Sequence, residues 1–355
     1  MSSSLSVPPA TQAVLDENIE INVKGKWTRV PALTMGRETV VVRGGLIKVA
    51  TIHDEDWLEQ EIEDPEQWAK ILKERALQGR RPDIFTFTQK LPGSEPKYRY
   101  PMEWSSIAAI RLSGFNGWWD KLPQEARKNV RRAQKRGVVV TVRAFDQGLI
   151  PHISRVNNDS PVRQGIRNAH YGKSLDEVTK DYSAFVDRSD FICACLGEEV
   201  IGFLKLVYRG EVASVLNLTT MPSHADKRPA NALVAKAVEL CDARGISFLT
   251  FGQFNYGNKK DSPLREFKIR NGFEEILKPK FYVSLTAWGR IWMKANLHRG
   301  LLGILPQSAI SLGVAARAKC YYFKDAVMSR CSSMLERPNS DRQMGRSNPP
   351  AGSNS

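Results

Sequence analysis

The chain has 355 residues, 42% hydrophobic and 25% charged, enough apolar material for a substantial core, and this excludes a wholly disordered protein. Its 52 Lys and Arg against 38 Asp and Glu leave a net charge of +14, which points to an acidic partner: a nucleotide-bearing cofactor, a nucleic acid or an anionic membrane face. The five cysteines and five histidines show neither disulfide nor zinc spacing, and no metal is expected.

Residues 1–17 and 332–355 are rich in Ser, Pro, Asn and Gly and are expected to be disordered. No apolar segment follows a charged start, so the expected setting is cytoplasmic, with peripheral contact at the inner face of a membrane left open. Residues 300–316 are uncharged but carry Pro306, Gln307, Ser308 and Ser311, short of the ~20 apolar residues of a spanning helix.

A first region covers 18–137. Strands are expected at 19–23 and 38–52, the second broken by Gly44-Gly45, and a helix over 64–78 with Trp68, Ile71, Leu72 and Arg75 at helical spacing. Further strands fall at 84–87 and 107–112. Pro123 then opens a helix that runs to Arg136, with Gly137 after it. Ala126, Val130 and Ala133 form its thin apolar stripe. Arg127, Arg131 and Lys135 stack in one row, and Lys128, Arg132 and Arg136 in the next. Like charges stacked this way destabilise an isolated helix, so the face is either well solvated or meets phosphates.

A second region, 138–284, begins with a strand at 138–142 and helices around 149–157 and 175–186. A hairpin of strands 191–196 and 200–208 turns at Gly197-Glu198-Glu199, and a third strand covers 212–220. Cys193 and Cys195 share one strand face, as small buried hydrophobes do. A loop with His224, Asp226, Lys227 and Arg228 leads into a helix over 229–244, opened by Pro229 and followed by Gly245. Its Leu233, Ala237, Leu240 and Cys241 recur at helical spacing. A short strand follows at 248–252. Strand, basic loop, helix N-terminus and parallel strand make a βαβ unit able to hold an anion. Amphipathic helices at 288–302 and 308–328 are expected to fill 285–331. The whole order suggests an α+β protein built on one central sheet.

Leu122-Pro123 is followed by Arg127, Val130, Arg131, Ala133, Lys135 and Gly137. Pro229-Ala230-Asn231 comes later, then Gly245 ahead of the Phe251-Gly252 strand end, then Phe267-Lys268 with Gly272-Phe273. In this order, over about 105–283, the chain resembles the GNAT acyltransferase superfamily, and more narrowly its Fem-type branch. That branch includes peptidoglycan aminoacyltransferases and related bacterial acyltransferases with a second, degenerate GNAT half. The resemblance implies a GNAT-like mixed central sheet flanked by helices at 138–284, a degenerate GNAT-like half at 18–137 and C-terminal helices. It implies transfer of an acyl or aminoacyl group from an activated carrier to an amine acceptor by direct attack. Acyl-CoA is the expected co-substrate and aminoacyl-tRNA the alternative. A cell-envelope precursor, an amino sugar or a small metabolite amine could be the acceptor.

By the same resemblance, Leu218, Thr219 and Thr220 are the strand end that offers N–H groups to the carrier, and Lys227, Arg228, Ala230 and Asn231 would meet its phosphates. The two glycines of the ordinary GNAT pyrophosphate loop are missing here, and without them the backbone approaches a pyrophosphate less freely. Members of the Fem-type branch tolerate that departure, and some take aminoacyl-tRNA. Acyl transfer needs a deprotonated amine, donors for the developing oxyanion and an acid for the leaving group. Lys268 is the candidate for charge stabilisation, Tyr256 for the acid, and His224 or Asp226 for the base. A surface lysine and a plain loop tyrosine are the alternatives for the first two. A second reading is an RNA- or membrane-surface-binding protein on a catalytically inactive GNAT-like scaffold. It rests on the net charge, the basic helix and the run Trp288, Arg290, Trp292, Lys294, His298, Arg299.

Overall fold

Acidic and apolar residues begin the first helix in a way that fixes its place. Asp64 caps α1 (Pro65–Glu74) by accepting from the Gln67 amide at 2.8 Å, and Trp68 and Leu72 then point inward from successive turns. They pack on β3 (Glu38–Arg43), β4 (Val49–Ile52) and β5 (Ile84–Thr88), in a core with Val40, Val42, Phe85 and Phe87. The computed structural model describes residues 14–23, 26–54, 61–76, 79, 81–163, 166–255 and 262–297. Ahead of β3 lies the hairpin of β1 (Val14–Val23) and β2 (Lys26–Met35). The pattern did not mark β2 as a strand. It carries Pro31, which lacks a ladder donor, and its pairing with β3 starts only at Ala32.

The remaining strands are β6 (Met102–Arg111), β7 (Val138–Arg143), the two-residue β8 (Val162–Arg163) and β9 (Ile166–Arg167), β10 (Ser189–Leu196), β11 (Glu199–Arg209), β12 (Val212–Thr220), β13 (Phe248–Gln253) and β14 (Glu274–Ser284). The helices are α2 (Phe115–Lys121), α3 (Gln124–Lys135), α4 (Ile150–Asn158), α5 (Leu175–Tyr182), α6 (Pro229–Ala243), α7 (Pro263–Arg270) and α8 (Ala287–Lys294). Twelve strands form one mixed sheet in the order β1-β2-β3-β4-β5-β14-β6-β13-β12-β11-β10-β7. The sheet does not divide near residue 137. β6, from early in the chain, lies between β13 and β14, and Phe281 and Val283 of β14 complete the core under α1. Each half therefore takes a strand from the other's stretch of sequence.

β11 is buried without alternation from Val200 to Val207, so both of its faces need cover. The α3–α6 pair and the α4–α5 pair supply it. α3 turns Ala126, Val130 and Ala133 onto α6, as its stripe predicted, and keeps Lys128, Arg131 and Lys135 exposed. α6 buries Leu233, Ala237 and Cys241, and Leu240 is half-buried. Leu233→Ala is expected to lower stability by about 2–5 kcal/mol in denaturant unfolding, because the site is fully enclosed. An effect within experimental error would mean that α6 does not pack as described.

Cys193, Cys195 and Cys241 are buried and reduced, and burial pushes the Cys193 and Cys241 thiols up to about 12. α8 ends at Lys294, short of the expected 302, because Asn296 turns left-handed with φ 56°. The helix expected over 308–328 lies outside the described residues. Among the described residues no helix is long and apolar enough to cross a membrane.

Candidate functional site

The sheet forks between its two parallel central strands. β12 pairs with β13 only over Val212–Ser214 against Phe248–Thr250, and the last rung is closed by a hydrogen bond between the Ser214 and Thr250 hydroxyls. Beyond that rung β12 continues to Thr220 paired with β11 alone. A bulge opens the fork: Lys205 faces Asn217 and Leu206 faces Val215, so Leu216 is the extra residue. From Leu216 to Thr220 the strand is half-exposed, whereas Ala213 to Val215 are buried. Backbone groups alternate along the strand, so those of Leu218 and Thr220 face the fork, while those of Thr219 turn toward β11.

Two residues that sequence reasoning missed fix this edge. Arg163 donates from Nη1 to the Thr220 carbonyl at 2.8 Å and from Nη2 to the Val156 carbonyl at 2.7 Å, tying the strand end to α4. Gly202 lies opposite Thr220 in the register, and a Cβ there would come within 2.7 Å of Thr220 Cγ2 and 3.1 Å of the Thr219 carbonyl oxygen. No side chain other than hydrogen permits that approach.

The loop after β12 carries the predicted basic residues into a 3-10 turn. Arg228 takes a left-handed conformation (φ 58°, ψ 41°) as the N-cap of α6 and gives no side-chain cap. Lys227 lies 3.4 Å from Asp226, which also receives Arg136, the C-cap of α3, at 2.8 Å. Slight desolvation raises the Asp226 carboxyl, but Lys227 and Arg136 outweigh it and hold it below the usual carboxylate range, which makes it a weak proton acceptor. His224 accepts or donates at Nδ1 with the Ser223 hydroxyl at 3.0 Å, and its Nε2 lies 3.8 Å from Glu199. Ala230 and Asn231 occupy the first turn of α6. Asn231 is not turned to solvent: its amide donates to Asn271 Oδ1 at 3.0 Å, joining α6 to the end of α7.

That junction places Lys268 near the same end of the fork. Lys268 is fully buried in the last turn of α7, and its ammonium donates to the Gln253 carbonyl at 2.7 Å and sits 4.7 Å from the Phe251 ring centre. Burial pulls it down to about 8. It clamps the end of β13 where the register with β6 breaks, between Thr250 and Gln253. Tyr256 lies outside the described residues.

On the α4–α5 side the fork meets a cleft of about 580 Å³ between the two halves. Leu216 and Asn217 line it from β12, Arg43 and Thr51 from β3 and β4, and Lys280 from β14. His53 and Asp54, 3.3 Å apart, also line it, with burial pushing the Asp54 carboxyl up. So do His170 and Asp181. No short motif marks these residues. They come from six separate segments, and only the curl of the sheet brings them together.

Neither a protein-family model nor a curated protein matches the chain. Solved structures do. FemX is 11% identical, with 79% of this chain and 90% of that chain covered at a TM-score of 0.53. L-PGS from Bacillus licheniformis is 12% identical over 76% of this chain and 87% of its own, with a TM-score of 0.47. A tandem GNAT protein from the clavulanic acid biosynthesis pathway is 10% identical over 79% and 85%, with a TM-score of 0.41. At such identities the likeness is one of fold.

Proposed function

On a GNAT-like, Fem-type fold whose central fork stands open, we propose that this protein is an acyltransferase that moves an acyl group from acyl-CoA to an amine by direct attack. The fork carries the reading. Its free edge at Leu218 and Thr220 offers backbone donors to a carrier and to a carbonyl oxygen that becomes negative in the transition state. The N-terminus of α6, with Lys227 and Arg228 beside it, accounts for the carrier's phosphates. The cleft at Leu216 and Asn217 takes the acceptor from the other side, so the two reactants meet across one strand. Lys268 supplies positive charge behind the end of β13.

Gly202→Val tests the fork. The added side chain must displace Thr219 and Thr220, and misplacement of that edge by about an ångström is expected to lower transfer from acetyl-CoA to pooled primary amines by tenfold or more. Free thiol and amide product, the latter by mass spectrometry, are the readouts. Unchanged transfer by a folded Gly202→Val protein would remove the fork from the mechanism.

A further inference from the structure

One part of the cleft lining, around Asp181, is built with more order than packing alone requires. Asp181 is 1% exposed, and four donors converge on its carboxylate. Its Oδ2 receives His170 Nδ1 at 3.0 Å and Lys173 Nζ at 2.5 Å, and its Oδ1 receives Trp27 Nε1 at 3.1 Å and Asn22 Nδ2 at 3.2 Å. Burial pushes this carboxyl up, but the hydrogen bonds from His170 and Lys173 prevail and hold it below the ordinary range, so it stays ionised and accepts only. The proton in the His170–Asp181 bond therefore sits on Nδ1, so in the neutral imidazole the lone pair is on Nε2.

The ring is fixed from its other sides as well. The His170 amide donates to Asn168 Oδ1 at 3.1 Å, and Asn168 is itself buried and bonded to the carbonyls of Asn157 and Ser160. The ring lies 5.5 Å from that of Tyr182. Its side chain keeps 31% exposure, toward the cleft that Leu216 and Asn217 of the fork also line. A buried carboxylate that sets the tautomer of a half-exposed imidazole is an arrangement suited to proton transfer.

We propose that His170 is the base that deprotonates the acceptor amine, with Asp181 as its positioning residue. The inference rests on the acyl-transfer reading. His170 Nε2 takes one proton from the acceptor's ammonium. The freed electron pair forms the carbon–nitrogen bond to the acyl carbonyl carbon. As the tetrahedral adduct collapses, the carbon–sulfur bond breaks, its electron pair leaves on sulfur, and the second nitrogen proton passes to that sulfur. The imidazolium returns its proton to water.

The test uses two nucleophiles on the full chain. Alkylamines are protonated near neutral pH and need a base, whereas hydroxylamine is already neutral and does not. Discharge of acetyl-CoA, and separately of charged bulk tRNA, is followed above a protein-free blank with pooled primary alkylamines and with hydroxylamine. For His170→Gln and Asp181→Asn, the alkylamine rate is expected to fall about a hundredfold, the usual worth of a general base, with the hydroxylamine rate within about threefold of wild type. A structural role would lower both rates together. Equal rates in variant and wild type, an equal fall with both nucleophiles, or a wild type discharged by hydroxylamine alone would overturn the base while leaving the transferase reading in place. No discharge of either carrier by either nucleophile would overturn both.

Discussion

Lys268→Met is expected to lower turnover at least about tenfold, roughly 1.4 kcal/mol of transition-state stabilisation, while leaving the protein at least as stable as wild type at pH 7. The two effects separate because methionine keeps the volume and removes the charge. Burying that charge is costly, as the fall to about 8 from the ordinary lysine value of 10.5 records. Loss of the hydrogen bond to the Gln253 carbonyl offsets part of the gain. The same shift fixes a pH signature. Below pH 8 folded and unfolded chains both hold the proton. Between about 8 and 10.5 the unfolded chain binds more protons, so stability rises with pH, by at most roughly 3 kcal/mol for this lysine. Lys205 behaves alike: it is buried, bonded to the Tyr182 and Ala184 carbonyls, and pulled down to about 8 by burial. Lys268→Met should therefore remove about half of the rise that these two lysines give together. Denaturant unfolding at pH 7.5 and pH 10, with transfer assays alongside, decides it. A fully active variant would strip Lys268 of any catalytic part, and a strongly destabilised one would make it a structural clamp.

Periodicity and punctuation made much of this fold legible. Pro229 and Gly245 bracket α6 because a proline suits a helix start and a glycine its end. Of the stripe Leu233, Ala237, Leu240 and Cys241, all but the half-buried Leu240 are buried, with Ala232, Val234, Ala235 and Val238 buried beside them. Pairing between distant segments left no such mark. Nothing local tells that β6 crosses to lie between β13 and β14, since its residues satisfy any mixed sheet. The site divides the same way. Leu218, Thr219 and Thr220 form no motif of their own and were named through the resemblance to the GNAT superfamily; the structure puts that strand end beyond the last rung shared by β12 and β13. His170, Asp181 and Arg163 were not named, because each is one polar residue in a loop or short element. Their roles arise from partners as far off as Asn22 and Thr220.

Reversing two charges on α3 is expected to separate the two carriers by orders of magnitude. Arg131 and Lys135 are exposed, and Arg131 lies 5.7 Å from the Trp119 ring centre at a groove of about 650 Å³ between α3 and α6. Arg136 is already engaged with Asp226, so α3 is joined to the loop before α6 while Lys128, Arg131 and Lys135 stay exposed. If acyl-CoA is the donor, its few phosphates are met at α6, and Arg131→Glu with Lys135→Glu should leave coenzyme A affinity within a factor of a few. If aminoacyl-tRNA is the donor, a row of phosphates must be neutralised. Binding of bulk tRNA should then fall by about 0.7–0.9 log units per released counterion for each tenfold rise in salt, and the double variant should both weaken it strongly and flatten that slope. The compact anchor at α6 favours the first outcome, because Arg136, Lys227 and Arg228 gather at that helix start and outnumber Asp226, the carboxylate that pairs with the first two. Calorimetry with coenzyme A set beside a salt titration with bulk tRNA checks it. No heat with the cofactor and a steep slope with tRNA that the double variant abolishes would move the donor from coenzyme A to tRNA. The same fork would then receive an ester in place of a thioester.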